Sequence, residues 1–540
     1  MWLLLSLACD SEPADTGTVV ADNDGDGVDD AADCAPDDAA IPAAVETAYN
    51  GVDDDCDALT LDDDLDADGY PLALDCDDAD AVVGGPEKPY DGVDNDCDPL
   101  TVDDDLDGDG RIGADDCDDG DGSVFLAADT FVGDLLEPDL EAFCTNYCTR
   151  SLDGNLWAYE VERVDFSALS CLDSVTGDVI LGGDTLESLA GLESLARVGG
   201  ELGTEESEGL HDLTGLDGLT EVGSLSIYGE NLTALTGLEG IRNVTGNLSV
   251  LYTSATDLSP LSGVASVGGY LNLQDNAELT SSGGMSSLVA VGGVVIVANN
   301  AALLDLDALR WLTELEEIWV SGNAVLPDLR GLGSLQVVTG LMSVADSAQL
   351  TSFEGLESLT EVGGSLVFTG LPRVDGESLT GLTTVGGELN FGLLLGEDLA
   401  GFDALTQVGA LGIYRNDVLS EISGFSALTT ITGDLEIYDN PALLRLPALV
   451  AADISGDLRL ENNDTITTLH GMEAVRVVGG SLTITGHAAL MDVTALWDVE
   501  SVDSLVITDN PALATDDAKA LYLEIPTVVS GSFTVSGNAP

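Results

Sequence analysis

From residue 175 onward the apolar positions of this chain follow a two-part beat. One apolar residue precedes a Gly-containing turn, and two more, spaced two apart, follow it among polar neighbours. The stretch Ile431-Thr432-Gly433-Asp434-Leu435-Glu436-Ile437-Tyr438-Asp439-Asn440-Pro441-Ala442-Leu443 is a clean copy. The leading positions are Val175, Val198, Val222, Val244, Val267, Val291, Glu314, Val338, Val362, Val385, Val408, Ile431, Ile454, Val478, Val502 and Val529, spaced 22 to 24 residues apart until a final gap of 27. A fixed period of this length predicts a solenoid, whose coils cannot bury their apolar side alone and stack to do so.

Inside each coil the alternation (Leu271 and Leu273, Leu435 and Ile437, Leu482 and Ile484) has the period of a strand with one buried face, so one short strand per coil predicts a long parallel sheet. Gly268-Gly269, Gly292-Gly293, Gly386-Gly387 and Gly479-Gly480 are expected to supply the backbone freedom of a tight corner. Asn276, Asn300, Asn323, Asn416, Asn440, Asn463, Asn510 and Asn538 recur just after the strand and read as corner residues bonding turn backbone. Stacked at about 4.8 Å, sixteen coils predict a rod on the order of 75 Å long, a shape suited to presenting surface.

The opening of this region, Cys171-Leu172-Asp173-Ser174-Val175-Thr176-Gly177-Asp178-Val179-Ile180-Leu181 with Cys144 and Cys148 before it, resembles the receptor L-domain, the β-helical ligand-binding repeat of the insulin and epidermal growth factor receptors. The repeated V-G-G-x-L-x-I-x-x-N-x-x-L carries the resemblance over roughly residues 144 to 540. Leucine-rich repeats share L-x-L-x-x-N, as in Leu458-Arg459-Leu460-Glu461-Asn462-Asn463, and are the alternative. The fold class expected is all-β: a right-handed parallel β-helix or L-domain-like solenoid of about sixteen coils, preceded by small disulfide- and calcium-stabilised acidic repeats. A receptor L-domain has far fewer coils than sixteen, so this chain either fuses several or extends one.

The first part of the chain lacks this periodicity. Between Ala21 and Asp121 stand 35 Asp and 2 Glu against Lys88 and Arg111, a net charge of −35 in 101 residues within a chain of −86. On composition alone such a segment is disordered unless something offsets the repulsion.

The aspartate spacing says what does. Asp22, Asp24, Asp26 and Asp33, then Asp64, Asp66, Asp68 and Asp75, then Asp105, Asp107, Asp109 and Asp116 occupy loop positions 1, 3, 5 and 12, with Gly27, Gly69 and Gly110 at position 6. This is the pattern of a calcium loop: hard carboxylate donors, a backbone carbonyl at position 7 (Val28, Tyr70, Arg111) and a closing carboxylate. Calcium is therefore the expected cofactor. A closing Asp is shorter than the usual Glu, which places the affinity in the extracellular range of roughly 10⁻⁴ to 10⁻³ M.

Each loop ends in an Asp-Cys step, and the unit recurs at 41 to 42 residues (Asp24, Asp66, Asp107). In this the segment resembles bacterial metal-binding repeats named after the copper-binding protein MopE and, over Asp22 to Asp38, thrombospondin type 3 calcium repeats. Copper favours imidazole and sulfur; residues 21–121 hold no His and no Met, so the all-oxygen set favours calcium.

Of the nine cysteines, Cys34, Cys56, Cys76, Cys97, Cys117, Cys144, Cys148 and Cys171 form an even set, which implies an oxidising compartment and a disulfide framework. Cys34 with Cys56 and Cys76 with Cys97 would give one bridge per metal unit. The remaining four allow three pairings; the L-domain resemblance implies Cys148 with Cys171, leaving Cys117 with Cys144.

The ninth, Cys9, ends the apolar run Met1-Trp2-Leu3-Leu4-Leu5-Ser6-Leu7-Ala8, which resembles the tail of a bacterial lipoprotein signal with Cys9 lipidated. The expected layout is a signal remnant at 1–9, a tether at 10–21, acidic calcium repeats at 22–125, a Cys-containing cap at 126–174 and the solenoid at 175–540. The expected location is the cell surface, as an outer-membrane lipoprotein held to the membrane only by lipid.

Outward positions of the sheet carry Tyr228, Tyr270, Trp319, Tyr414 and Tyr438, candidate anchors for a surface protein or glycan. Stacked coils would bring Asp434, Glu436, Arg459 and Tyr438 into one polar patch, equally readable as a plain cross-strand ion pair. His211, His470 and His487 lie in different coils, His487 in the slot where other coils have Asn, and no nucleophile motif, phosphate loop or zinc spacing is present. An enzyme is not expected, and the net charge of −86 repels nucleic acid. The function expected is a calcium-stiffened stalk presenting a solenoid for adhesion or recognition. The alternatives are sequestration of calcium or another divalent metal, and polysaccharide processing on a β-helix face.

Overall fold

In the computed structural model the described residues are 21–25, 27, 29–30, 36–39, 64–66, 68–72, 74–75, 77–86, 88, 93–95, 131–136, 140, 143–146, 150–159, 165–205, 207–450 and 453–540. The chain divides into two units, Met1–Asp129 with Thr145–Cys148, and Thr130–Cys144 with Thr149–Pro540.

The second unit is an all-β parallel solenoid built on one 30-stranded sheet. A typical coil contributes a two-residue bridge, Ser266–Val267, and after the glycine turn a four-residue strand, Leu271–Gln274. Leu248, Leu271, Val295, Ile318, Met342 and Leu366 pair in register from coil to coil. Each is fully buried, and each such side chain contributes roughly 1.5–3 kcal/mol relative to exposure. The alternation read from the sequence is thus one apolar column facing inward.

Two leading positions shift by one residue. Leu315, not Glu314, pairs with Val338, and Val528, not Val529, pairs with Val502. The reason is burial: Leu315 is 1% exposed, whereas Val529 is 71% exposed. The sheet also runs further toward the N-terminus than the repeat suggests. Phe131 pairs with Leu152 and Leu152 with Val175, so the segment expected as a cap over 126–174 carries two rungs of its own.

The corner glycines are required, but not for the reason the sequence suggests. Gly456 and Gly480 lie outside the left-handed region. A Cβ at either would lie 2.1 Å from the Oδ1 of Asp434 or Asp457 in the preceding coil. Those oxygens accept the N–H of Asp457 and Ser481, both at 2.7 Å. Asn155 and Asn247 do the same for Asp178 and Tyr270. The glycine leaves room for one coil's side chain to cap the next coil's backbone.

The asparagines form a second ladder, inside the core. Asn276, Asn300, Asn323, Asn416, Asn440, Asn463 and Asn510 are all 0% exposed. Asn440 shows the scheme: its N–H and Nδ2 donate to Asn463 Oδ1, Nδ2 also donates to the Ile413 carbonyl, and its Oδ1 accepts from Asn416. The residue before each rung bends the chain into the left-handed region, with φ near 57° at Asn299 and Asp439. Asp, Asn and Gly, which tolerate that conformation, hold most of these corners, and the buried amide that follows each satisfies backbone there.

The ladder is interrupted where Ser347, Leu371 and Leu394 take the corner position. The same coils carry an aromatic cluster: Phe353 stacks on Phe368 at 4.8 Å, Phe391 meets Phe402 at 5.2 Å, and Phe402 stacks on Phe425 at 5.4 Å. A second, three-stranded sheet, Val374–Gly376, Asp398–Gly401 and Glu421–Gly424, belongs to these coils. Apolar volume replaces amide bonding over this segment.

The disulfide expectation is corrected in part. Cys171 pairs with Cys144, across a Cα–Cα distance of 5.6 Å, which overturns both Cys148–Cys171 and Cys117–Cys144. Phe143, 0% exposed, pins the short helix Phe143–Asn146 to the core and so delivers the adjacent Cys144 to the turn between buried Leu169 and Leu172. Cys9, Cys34, Cys56, Cys76, Cys97, Cys117 and Cys148 lie outside the described residues.

Candidate functional site

In the acidic unit the second loop is the best described. Asp64 Oδ1 accepts the N–H of Asp68 and its Oδ2 that of Gly69, at 3.2 and 2.8 Å. Asp66 Oδ1 accepts from Asp68 and Asp68 Oδ1 from Tyr70. These bonds wind the chain so that Asp64, Asp66 and Asp68 each bring one oxygen within 4.8 Å of the others. Gly69 takes φ +99°, a turn that other residues rarely adopt.

Asp75 lies across Gly84 from Asp68, outside the group of three oxygens. It is 4% exposed, and Gly84 is wedged between it and Asp68: a Cβ there would lie 3.0 Å from Asp68 Oδ2 and 3.3 Å from Asp75 Cγ. Asp66 Oδ2, Asp75 Oδ2 and Asp78 Oδ2 are buried and accept no hydrogen bond among the described residues. Loss of solvent, followed by the charges of Asp68, Asp75 and Asp64, holds the Asp66 carboxyl above the usual carboxylate range. Among the described residues the group holds carboxylates alone, crowded and half-satisfied, which fits a hard divalent cation.

The first loop shares this geometry where described. Gly27 donates to Asp22 Oδ2, as Gly69 does to Asp64 Oδ2, and Gly27 has φ +96°. Asp26, Val28 and Asp33, and all of Asp105, Asp107, Asp109, Arg111 and Asp116, lie outside the described residues.

On the solenoid the predicted aromatics share a side of the sheet but not a place. Tyr414 and Tyr438 stack at 5.3 Å with 12° between their planes, and the Arg459 guanidinium lies 4.6 Å from the Tyr438 ring centre. The other side of Tyr414 is filled by the coil of Gly392, where a Cβ would come within 2.6 Å of the ring. The ring faces are therefore consumed inside the stack, and edges are what they offer. Arg459 bonds Glu461 at 2.6 Å and Glu436 at 3.5 Å; the Glu461 hydrogen bond raises its pKa most. Asp434 is drawn off into the corner ladder, so the patch reduces to an aromatic–cation stack with two carboxylates.

Tyr228 instead packs at 5.5 Å against Tyr252, a residue the repeat pattern did not single out because it sits at the corner, with φ 53°. Tyr270 and Trp319, 40% and 44% exposed, belong to other coils. The histidines are equally dispersed. His211 Nδ1 meets the Asn231 carbonyl, His470 pairs with Glu473, and His487 stands in the asparagine ladder. His470 and Glu473 border a groove of about 370 Å³ with Thr468, Asp492 and Thr494.

No protein-family model and no curated protein matches the chain. Among solved structures it is similar to an internalin (InlF) from Listeria monocytogenes, at 15% identity over 60% of this chain and 83% of that one, with a TM-score of 0.29. It is also similar to TLR13 in a complex with ssRNA13, at 13% identity over 76% of this chain and 80% of that one, with a TM-score of 0.27. Overlaps this loose carry no weight for function, and the solenoid stands on its own strand register.

Proposed function

We propose that this chain is an exported cell-surface protein, lipid-anchored through Cys9, in which calcium held by the acidic loops stiffens a stalk and the solenoid presents its surface for adhesion or ligand recognition. The observation that carries the reading is the set of buried, unpartnered carboxylate oxygens on Asp66 and Asp75. Uncompensated buried charge is costly. A divalent cation removes that cost and supplies the missing partners.

What the sheet face displays supports presentation of a surface. Its aromatics are stacked or dispersed over separate coils, and its carboxylates tie neighbouring coils together. A glycan or surface protein fits such an extended face. Calcium titration of the whole protein by calorimetry tests the first half: uptake at the loops with a rise in melting temperature supports it, and no heat at millimolar calcium rejects it. A glycan and surface-protein array probed with and without calcium tests the second.

A further inference from the structure

The acidic loop holds one carboxylate that the position-12 pattern does not account for. Asp78 lies three residues beyond the closing Asp75, is 7% exposed, and its Oδ2 is buried with no hydrogen-bond partner. Its Oδ1 accepts the N–H of Leu65 at 3.2 Å. Leu65 stands between Asp64 and Asp66, so this bond holds the Asp78 carboxylate against the start of the loop. An acidic chain of this composition has water for every carboxylate it can expose; burying one with half its acceptor capacity idle needs compensation.

The position-12 residue needs help in any case. A Glu closes a calcium loop with both oxygens, whereas Asp75 is one methylene shorter and has already committed Oδ1 to the Asp77 N–H at 2.9 Å. One free oxygen remains on Asp75 and one on Asp78, both outside the group of Asp64, Asp66 and Asp68 oxygens that already lie within 4.8 Å of one another, so ligation requires these two carboxylates to close in on it. The first loop repeats the arrangement in variant form: Asp37 Oδ1 accepts from the side chain of Asn23, the residue equivalent to Leu65, at 2.9 Å.

We propose that Asp78 is a cation ligand of the Asp64–Asp75 loop, and that Asp75 and Asp78, one oxygen each, together replace the bidentate closing glutamate. This rests on the calcium reading above and adds to it a residue and a coordination scheme. Asp119 takes the same place after the third loop, three residues beyond Asp116, whereas the first loop has Pro36 there and Asp37 one step on.

Asp78→Asn separates a ligand from a structural cap, because asparagine keeps the oxygen that accepts from Leu65 while removing the charge and the second oxygen. Tyr70, at position 7 of this loop, gives a local readout: terbium bound there is sensitised by its ring, whereas the other loops have Val28 and Arg111 at that position. Terbium titration of the full-length protein, with calcium competition, is compared for the native chain, Asp78→Asn, Asp66→Asn and Asp77→Asn. Asp77 is an exposed neighbour and controls for charge alone. The expected result is that Asp66→Asn and Asp78→Asn weaken Tyr70-sensitised binding by roughly tenfold or more, while Asp77→Asn does not. If Asp78→Asn binds as the native chain does while Asp66→Asn fails, Asp78 is only a cap and the proposal is overturned. Equal losses in Asp78→Asn and Asp77→Asn would reduce it to long-range charge and also overturn it. No terbium or calcium binding by the native chain would sink the calcium reading itself. Should Asp78→Asn lose binding altogether, Asp78→Glu decides: a ligand role expects recovered binding, and continued loss overturns the proposal.

Discussion

The two units bury polar groups in opposite ways. In the solenoid Asn300, Asn440 and Asn463 are wholly enclosed, and each finds its partners in the coils before and after it. In the acidic unit Asp64, Asp75 and Asp78 are enclosed as well, yet oxygens of Asp75 and Asp78 find no hydrogen-bond partner among the described residues. Repetition is the difference. The asparagine ladder places a like donor one coil away from its acceptors, whereas an acidic loop surrounds its acceptors with more acceptors. The first satisfies itself from coil to coil, and the second is what the calcium proposal addresses.

The largest expected effect is on the acidic unit. At a hundredfold excess over Kd, calcium stabilises by about 2.7 kcal/mol per occupied loop, or about 8 kcal/mol for three loops. Calorimetric melting with calcium and with EDTA should show this shift in one transition and none in the solenoid's. Without calcium the raised Asp66 carboxyl reverses the usual sign. Its folded form holds the proton to higher pH than the unfolded chain does, so the calcium-free unit should gain stability as pH falls through that range and lose it as pH rises.

Phe391→Ala should cost the solenoid about 3–5 kcal/mol, because Phe391 lies at the centre of the cluster that replaces the interrupted asparagine ladder. Urea unfolding measures it, and calcium uptake should be unchanged. Asn440→Ala should follow at about 1–3 kcal/mol, the cost of leaving buried partners unsatisfied.

His487 offers a finer test inside the ladder. Its Nδ1 accepts the Asn463 N–H at 3.1 Å and its Nε2 donates to the Leu460 carbonyl at 3.0 Å. Burial depresses its pKa against the opposing pull of these backbone contacts and of Asp464 and Glu461. Its contribution is therefore complete above the ordinary histidine range and is lost as pH falls through the folded value. Solenoid stability measured from pH 7.5 downward should decline, and His487→Asn should flatten that slope. The smallest effect belongs to Arg459→Ala, at most about 1 kcal/mol, since a part-exposed stack with ion pairs contributes little. A glycan or protein array in which this variant lost all binding would show that the patch is a ligand site despite its low structural cost.

The sequence made the solenoid legible because burial imposes a strict period: Leu271 and Leu273 announce their own direction. The asparagine corners and His487 in their slot were equally readable. What escaped were features set between coils. The glycines make room for the side chain one coil earlier, as Gly456 does for Asp434, a relation no local pattern displays. Cys144 rather than Cys148 meets Cys171 because Phe143 anchors it. The carboxylate spacing marked Asp64, Asp66, Asp68 and Asp75, but Asp78 and Gly84 come to the loop only through folding. Tyr228 and Tyr438 look alike in sequence and differ entirely in company.

The central claim is that the acidic unit takes its order from calcium while the solenoid takes its order from itself. Hydrogen exchange of the full-length protein in calcium and in EDTA, read peptide by peptide, tests this directly. The account predicts that EDTA abolishes protection at Asp64–Asp78 and leaves the rungs from Leu248 to Leu366 unchanged. Equal protection of the acidic loop in both conditions would contradict it.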